Sequence, residues 1–404
     1  MPKERAHKDH MASGARNRSL GFLNRSSTAT SHTAGTLCTI KVNKMIKNIL
    51  ATILLLATTN QGLCQTDTVQ LIKPTGKYLV ATSIYEWTDE SREMKIRPDF
   101  SQQRVLVTQI WYPAKPDSSL TKAPYSSLSK DYQKTVCNSY LRTSITEEID
   151  EIPLIIIVPG RGTERFLYTT IAEELASQGF AVASIDMPEI GYVIFQDGFT
   201  LYPSDEFKTP SGMMAGPYEL VDAFFERPTE IGYQDLIFSF EKITELNTTA
   251  FAGKLDLNAM GVFGHSLGGR IAGELAAKSE QVKALATMEG IPPRDVRYEG
   301  KIIVPSLMMC SSGTLKYAVE NYNSFIDNRK NTVFMTELVD FGHNSMTDNP
   351  YIYPKNFGYE IDPRKALEIS RTLLTDFFKE YLIGETSFLE KNIDKEYVKI
   401  VKHQ

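Results

Sequence analysis

Cysteine is scarce in this chain of 404 residues: there are four. Cys38 and Cys64 fall in a stretch that reads as removable, so a disulfide framework is excluded, and Cys137 and Cys310 could form one bridge at most. Cys310 sits in an apolar run and reads as a small buried hydrophobe, not a nucleophile. Histidine is also sparse, at six residues, which narrows the search for a general base. Neither H-E-x-x-H nor a P-loop sequence occurs, so no catalytic metal, nucleotide or other cofactor is implied. No apolar run reaches the roughly 18 residues of a membrane span, and past residue 65 there is neither an internal repeat nor low complexity.

Basic charge is short where most of the chain lies. Residues 1–64 hold nine Lys or Arg against two Asp or Glu, leaving 35 basic and 47 acidic residues in the remainder, a net of −12. An acidic body argues against nucleic acid and anionic membrane as partners. Nothing in the sequence specifies an oligomeric state.

What is present at the N-terminus has the grammar of export. Lys44 and Lys47 flank Met45, residues 49–57 (ILATILLLA) form an apolar run too short to span a bilayer, and the small residues Gly62 and Cys64 stand three and one before Gln65. We read 45–64 as a secretory signal cleaved near Cys64, giving a secreted or periplasmic protein with no stable membrane span in the mature chain. A retained anchor ranks second, and a lipid-modified Cys64 third because Leu63 is bulky. Residues 1–44 read as a disordered leader or a mis-assigned start, with a transit peptide as the second reading.

At 42% hydrophobic and 23% charged residues, the chain has globular composition, and residues 65–386 read as one catalytic domain followed by a tail at 387–404. Strand-like and helix-like stretches alternate. Strands are predicted at 105–112, 154–158, 181–187, 260–263, 282–288, 306–310 and 332–338. Helices are predicted over 165–178, around 233–240, at 270–279, around 315–326 and from Pro363. Such alternation implies an α/β fold, a mostly parallel central sheet with helices on both faces. Residues 188–227 carry ten aromatics and methionines among prolines and glycines and read as a lid-like insertion, most of whose side chains serve ordinary packing.

Gly264-His265-Ser266-Leu267-Gly268-Gly269 is the stretch that speaks of chemistry. A bare G-x-S-x-G arises by chance in roughly one chain in ten of this length, so its flanks decide: an apolar strand before it and a helix-forming run after it make a nucleophile elbow. Serine needs a base to become a nucleophile. His7, His10 and His32 lie in the leader, His403 lies in the tail, and His265 adjoins the serine with its side chain sent elsewhere by the turn. His343, in the loop after the last parallel strand, remains.

The chain order of nucleophile, acid and histidine confines the acid to positions between 266 and 343. Glu289 follows the strand 282–288 directly, whereas the other usual position, after 306–310, holds no acid; Asp340 is the runner-up. The oxyanion hole falls to the backbone N–H of Leu267 and to that of Arg161, in the loop Pro159-Gly160-Arg161-Gly162-Thr163. The spacing of Gly160 and Gly162 also occurs in dinucleotide loops, but Arg165 occupies the third glycine's place.

Taken in order, residues 154–187, 264–269, Met288-Glu289-Gly290 and Phe341-Gly342-His343 resemble the platelet-activating factor acetylhydrolase family of α/β-hydrolases. Gly76-Lys77-Tyr78 and residues 109–114 are similar to that family's lead-in strands. The chain departs from the family in having Pro159-Gly160 where His-Gly is usual, and Glu289 where aspartate is usual. The resemblance implies metal-independent hydrolysis of short or oxidised acyl esters on lipids. From the export grammar, the elbow and this resemblance together we expect an exported serine hydrolase of carboxylic esters acting on a small ester or lipid-like substrate, with a serine peptidase, a thioesterase or a non-catalytic binding protein as alternatives.

N-terminal sequencing of the exported protein is expected to begin near Gln65, and a retained Met1 would refute the signal.

Overall fold

The computed structural model describes residues 68–126, 128–213, 218–386 and 394–404. The signal and leader readings, at 45–64 and 1–44, lie outside the described residues.

Twelve strands form one sheet. In chain order the elements are β1 (Val69–Gln70), β2 (Leu79–Arg97), β3 (Phe100–Ala114), β4 (Lys122–Pro124), β5 (Thr135–Leu141), β6 (Ile152–Val158), α1 (Thr169–Ser177), β7 (Ala181–Asp186), a small separate hairpin of β8 (Val193–Ile194) and β9 (Thr200–Leu201), α2 (Tyr218–Asn247), β10 (Leu255–His265), α3 (Leu267–Lys278), β11 (Val282–Met288), α4 (Arg294–Glu299), β12 (Ser306–Ser311), α5 (Ser312–Asp327), β13 (Val333–Leu338), α6 (Asp348–Ile352), α7 (Pro363–Ile383) and β14 (Val398–His403). The strand order is β1-β5-β2-β3-β7-β6-β10-β11-β12-β13-β14, with β4 paired to β5. The block from β7 to β13 is parallel, and β3 and β14 flank it in antiparallel pairing.

The apolar strands explain the layering. A strand covered on both faces has no use for polar alternation, and β6 (IPLIIIV) is buried at every position. Ile155 and Ile157 join one core with α1 and α7, while Leu154, Ile156 and Val158 join the other with α2, α3 and α5. Helices thus cover both faces, as expected.

The order of the central strands also locates a crevice. From β6 the chain goes to β7 on one side, and from β10 it goes to β11 on the other, so β6 and β10 are neighbours whose connections diverge. Ligands of open parallel sheets bind at such a switch point, beyond the carboxyl ends of the strands. Both the Pro159-to-Thr163 loop and Ser266 leave from there.

Three sequence expectations need correction. The tail is in part structure: residues 398–403 form β14, whose Val398 is buried against β13. Apolar and polar residues alternate there, and pairing with the β13 edge gives the short segment the partner it lacks alone. The insertion at 188–227 is not all loop, because α2 begins at Tyr218 and runs through Pro228. Proline disfavours a helix interior, but here the turns before it are held by an ion pair from Asp222 to Arg270 of α3. Gly76-Lys77-Tyr78 forms a bend before β2, not a strand, with Tyr78 N–H donating to the Ser177 carbonyl. Cys137 and Cys310, whose pairing the sequence leaves open, are both free and buried.

The long β2 strand was not expected, since its distal half is charged. It stands because Arg104 of β3, almost fully buried, donates to Asp235 of α2 at 2.6 Å and to Glu189 at 2.9 Å. Arg92 reaches Asp89 at 2.6 Å and the same Asp235 at 2.8 Å. Ion pairs thus fasten the hairpin to α2 where apolar residues are few.

Candidate active site

Between β10 and α3 the chain turns within a single residue. Ser266 adopts φ 55° and ψ −122°, a conformation that costs a non-glycine residue on the order of 1–3 kcal/mol and persists only where the surroundings enforce it. Here its N–H donates to the Met288 carbonyl at 2.8 Å, and its carbonyl accepts from Gly269 N–H at 2.9 Å. The glycines are steric necessities. A Cβ on Gly264 would lie 2.2 Å from the Gly268 carbonyl oxygen, and one on Gly268 would lie 2.1 Å from that of Val158.

The structure brings Ser266, His343 and Glu289 together. Ser266 Oγ lies 3.0 Å from His343 Nε2, and His343 Nδ1 lies 3.4 Å from Glu289 Oε2. The second contact is longer than a good hydrogen bond. The carboxylate does not depend on it for its position: Ser311 N–H donates to Oε1 at 2.5 Å, and the Thr314 hydroxyl donates to Oε2. Burial alone would push the Glu289 carboxyl up, but the hydrogen bonds from His343, Thr314 and Ser311 prevail and hold it at about 2. It is therefore an anion at any working pH, beside an imidazole whose side chain is half exposed. Asp340, the alternative acid, is exposed and does not line the cleft.

Leu267 and Arg161 border the same cleft as Ser266. The backbone N–H of neither finds an acceptor among the described residues, whereas their neighbours are engaged: Gly160 N–H donates to the Tyr168 hydroxyl at 3.0 Å, Gly162 N–H to Ile190 at 3.0 Å and Thr163 N–H to Gly160 at 3.2 Å. Two free amides beside a serine hydroxyl can donate to a developing oxyanion.

His265 holds these parts in register. Its Nε2 lies 2.7 Å from the His343 carbonyl oxygen, which can only accept, so that nitrogen carries the proton. Its Nδ1 then accepts from the Tyr168 hydroxyl at 2.8 Å, and the Tyr168 oxygen in turn accepts from Gly160 N–H. One buried imidazole thus ties the oxyanion loop to the histidine loop across the carboxyl end of β10. The sequence pattern places Tyr168 only within the helix expected over 165–178 and leaves His265 without a partner. The signal that could have found them is weak, because the link joins residues 97 positions apart. Thr314 and Ser311 were likewise missed, since they serve an acid that arrives from a different strand.

The cleft measures about 350 Å³ and is lined by Tyr218, Phe225 and Tyr317 beside the polar groups. That is the size and character of a small-molecule site.

Comparison with known proteins agrees with this architecture. Residues 108–189, from β3 to just beyond β7, match the family model described as platelet-activating factor acetylhydrolase, isoform II. The match includes the oxyanion loop and stops short of Ser266. No curated protein matches the chain. Among solved structures, the ferulic acid esterase from Streptomyces cinnamoneus superposes with a TM-score of 0.70 at 22% identity, covering 82% of this chain and 99% of that one. At that identity the likeness is one of fold. The chain has the α/β-hydrolase fold, and over residues 108–189 it is similar to the platelet-activating factor acetylhydrolase family.

Burial, with the charge of His343 adding to it, pushes the His265 imidazole down to about 3 from an ordinary 6.5. The folded state therefore binds fewer protons than the unfolded chain between those values. This stabilisation is complete above about pH 6.5 and is lost as pH falls toward 3. Glu289 adds a loss in the same direction only below 4.5. Melting temperatures between pH 6.5 and 4.5 should fall less steeply with acid in His265→Gln, which keeps a donor and an acceptor but cannot titrate. Equal slopes would assign the acid sensitivity to other groups.

Proposed function

We propose that this α/β-hydrolase cleaves carboxylic esters through an acyl-enzyme on Ser266. The observation that carries the reading is the 3.0 Å contact between Ser266 Oγ and His343 Nε2 at the mouth of a cleft bordered by two unengaged amides. In the first half-reaction His343 Nε2 takes the hydroxyl proton as Oγ adds to the ester carbonyl. The N–H groups of Leu267 and Arg161 donate to the oxyanion, and Glu289 holds the imidazole orientation and balances its positive charge. Collapse of the tetrahedral adduct breaks the bond to the alcohol oxygen, which leaves with the proton from His343. Water then repeats the sequence: His343 takes its proton, the hydroxide adds to the acyl carbon, and Ser266 leaves with the proton as the carboxylic acid departs.

Donors built for the transition state act most strongly away from bulk water. The buried carboxylate suits that design: it is ionised, fixed by Ser311 and Thr314, and needs no reorganisation when the imidazolium forms. We further propose that the protein acts outside the cytoplasm, on the strength of the export grammar of residues 45–64. The family resemblance supports an ester with a lipid-like acyl part, and the aromatic lining of the cleft is compatible with one.

Covalent labelling by a fluorophosphonate, abolished in Ser266→Ala, is the expected outcome. An unlabelled wild-type protein would favour a binding role instead. Short p-nitrophenyl esters should be turned over faster than aminoacyl-anilides and thioesters, and a reversed order would redirect the reading to a peptidase or thioesterase. Glu289→Gln should lower kcat on the order of 10⁴-fold while leaving the melting transition cooperative. Unchanged turnover would strip Glu289 of its role.

A further inference from the structure

The cleft at Ser266 carries more positive charge than its own chemistry requires. Arg270 stands one turn of α3 beyond Leu267, Arg297 comes from α4, and both guanidiniums share one carboxylate, Asp222 of α2. Arg270 pairs with Asp222 Oδ1, and Arg297 reaches Oδ2 at 3.2 Å. The remaining contacts are to neutral groups: Arg270 Nε donates to Thr229 at 3.0 Å, and Arg297 donates to Ser324 at 3.1 Å, to the Pro292 carbonyl at 2.7 Å and to Asn321 Oδ1 at 2.9 Å. All of these residues except Thr229, Ser324 and Pro292 line the cleft.

Arg161 also lines the cleft. Its side chain makes no hydrogen bond or ion pair among the described residues, and its buried Nε is without a partner. Asn321, 3% exposed, spends its oxygen on Arg297; its Nδ2 approaches the Tyr218 oxygen but makes no hydrogen bond of normal geometry. Of the two carboxylates on the cleft wall, Glu289 is committed to His343, Ser311 and Thr314. Among the described residues of the cleft wall the balance is three guanidiniums against two carboxylates, an excess of one positive charge, with Arg161 Nε and Asn321 Nδ2 left without acceptors; the carboxylate of Asp205, which acts on Arg161 from outside this wall, is exposed. The carboxylates of Glu219, Glu226, Glu230 and Asp295 near the outer side of this wall are exposed and screened by water, and that of Glu274 is paired with Lys278, so they weigh little against buried charge. Burial first, and then the nearby Arg270, lower the Arg297 guanidinium below its ordinary value despite the pull of Asp222.

Burying positive charge without a counter-ion is unfavourable, and the planar guanidinium fork matches a carboxylate. We propose that the cleft selects esters that carry a carboxylate on the part of the substrate filling this arm, bound by Arg161, Arg270, Arg297 and the Asn321 amide. A single carboxylate matches the one-charge excess, whereas a phosphate monoester carries close to two charges at neutral pH. The inference rests on the ester-hydrolase reading of Ser266 and adds its substrate class.

Two matched pairs test it on the full protein. p-Nitrophenyl hydrogen adipate against p-nitrophenyl methyl adipate places the charge on the acyl side; p-acetoxybenzoate against its methyl ester places it on the alcohol side. In at least one pair kcat/KM should favour the anion by about ten- to hundredfold, the range of charge-assisted hydrogen bonds, and the preference should shrink with added salt. Arg270→Gln should lower that preference more than it lowers turnover of the neutral ester, which serves as the internal measure of folding and chemistry. If the wild-type enzyme is labelled at Ser266 by a fluorophosphonate yet cleaves the neutral member of both pairs equally well or better, the carboxylate preference is overturned and the hydrolase reading stands. If no ester is cleaved and Ser266 is not labelled, the hydrolase reading itself has failed.

Discussion

The turn from β10 into α3 is the constraint on which the rest depends. It leaves no room for a side chain at Gly264 or Gly268 and holds Ser266 at a backbone conformation that an isolated chain would abandon. Strain of this kind survives because the parallel strands on either side fix both ends of the turn: β6 closes against Gly268, and the Met288 carbonyl at the end of β11 receives the Ser266 amide. The reward is positional. The hydroxyl stands above the carboxyl edge of the sheet, and the N–H of Leu267, which borders the cleft, has no acceptor among the described residues.

Around that turn the polar groups are arranged in two circuits of opposite purpose. One is neutral and structural: His265, Tyr168 and the Gly160 amide bind the oxyanion loop to the histidine loop, with an imidazole kept uncharged by burial. The other is ionic: Glu289 is kept charged by three donors and lies beneath an imidazole that would become positive during catalysis. Two histidine rings 5.0 Å apart between centroids thus serve different ends because their partners differ. A carbonyl and a phenol hold one of them, and a carboxylate and a hydroxyl flank the other.

Much of the fold was legible from local pattern. The runs at 154–158, 282–288 and 306–310 are strands because uninterrupted apolar sequence of that length satisfies a sheet covered on both faces. Where the pattern misled, a distant partner had overruled it. The helix α2 runs through Pro228 with its preceding turns tied to α3 by the ion pair from Asp222 to Arg270. The segment around Val398 looked like a tail and becomes a strand against the free edge of β13. The charged half of β2 is held by carboxylates on α2 and in the loop after β7, a relation that no window of neighbouring residues contains.

The sequence by itself determined the elbow, the short roster of histidines and the single acid standing directly after a strand, because each is a local matter of residue type and chain order. Tertiary structure alone decided what those groups face. Whether Glu289 would be charged depended on Ser311 and Thr314 arriving from the next strand and helix, and whether the cleft would be cationic depended on α2, α3 and α4 meeting around one aspartate. Such outcomes follow from burial and from contacts between elements far apart in the chain, and electrostatic energies take their size from that environment, not from residue identity.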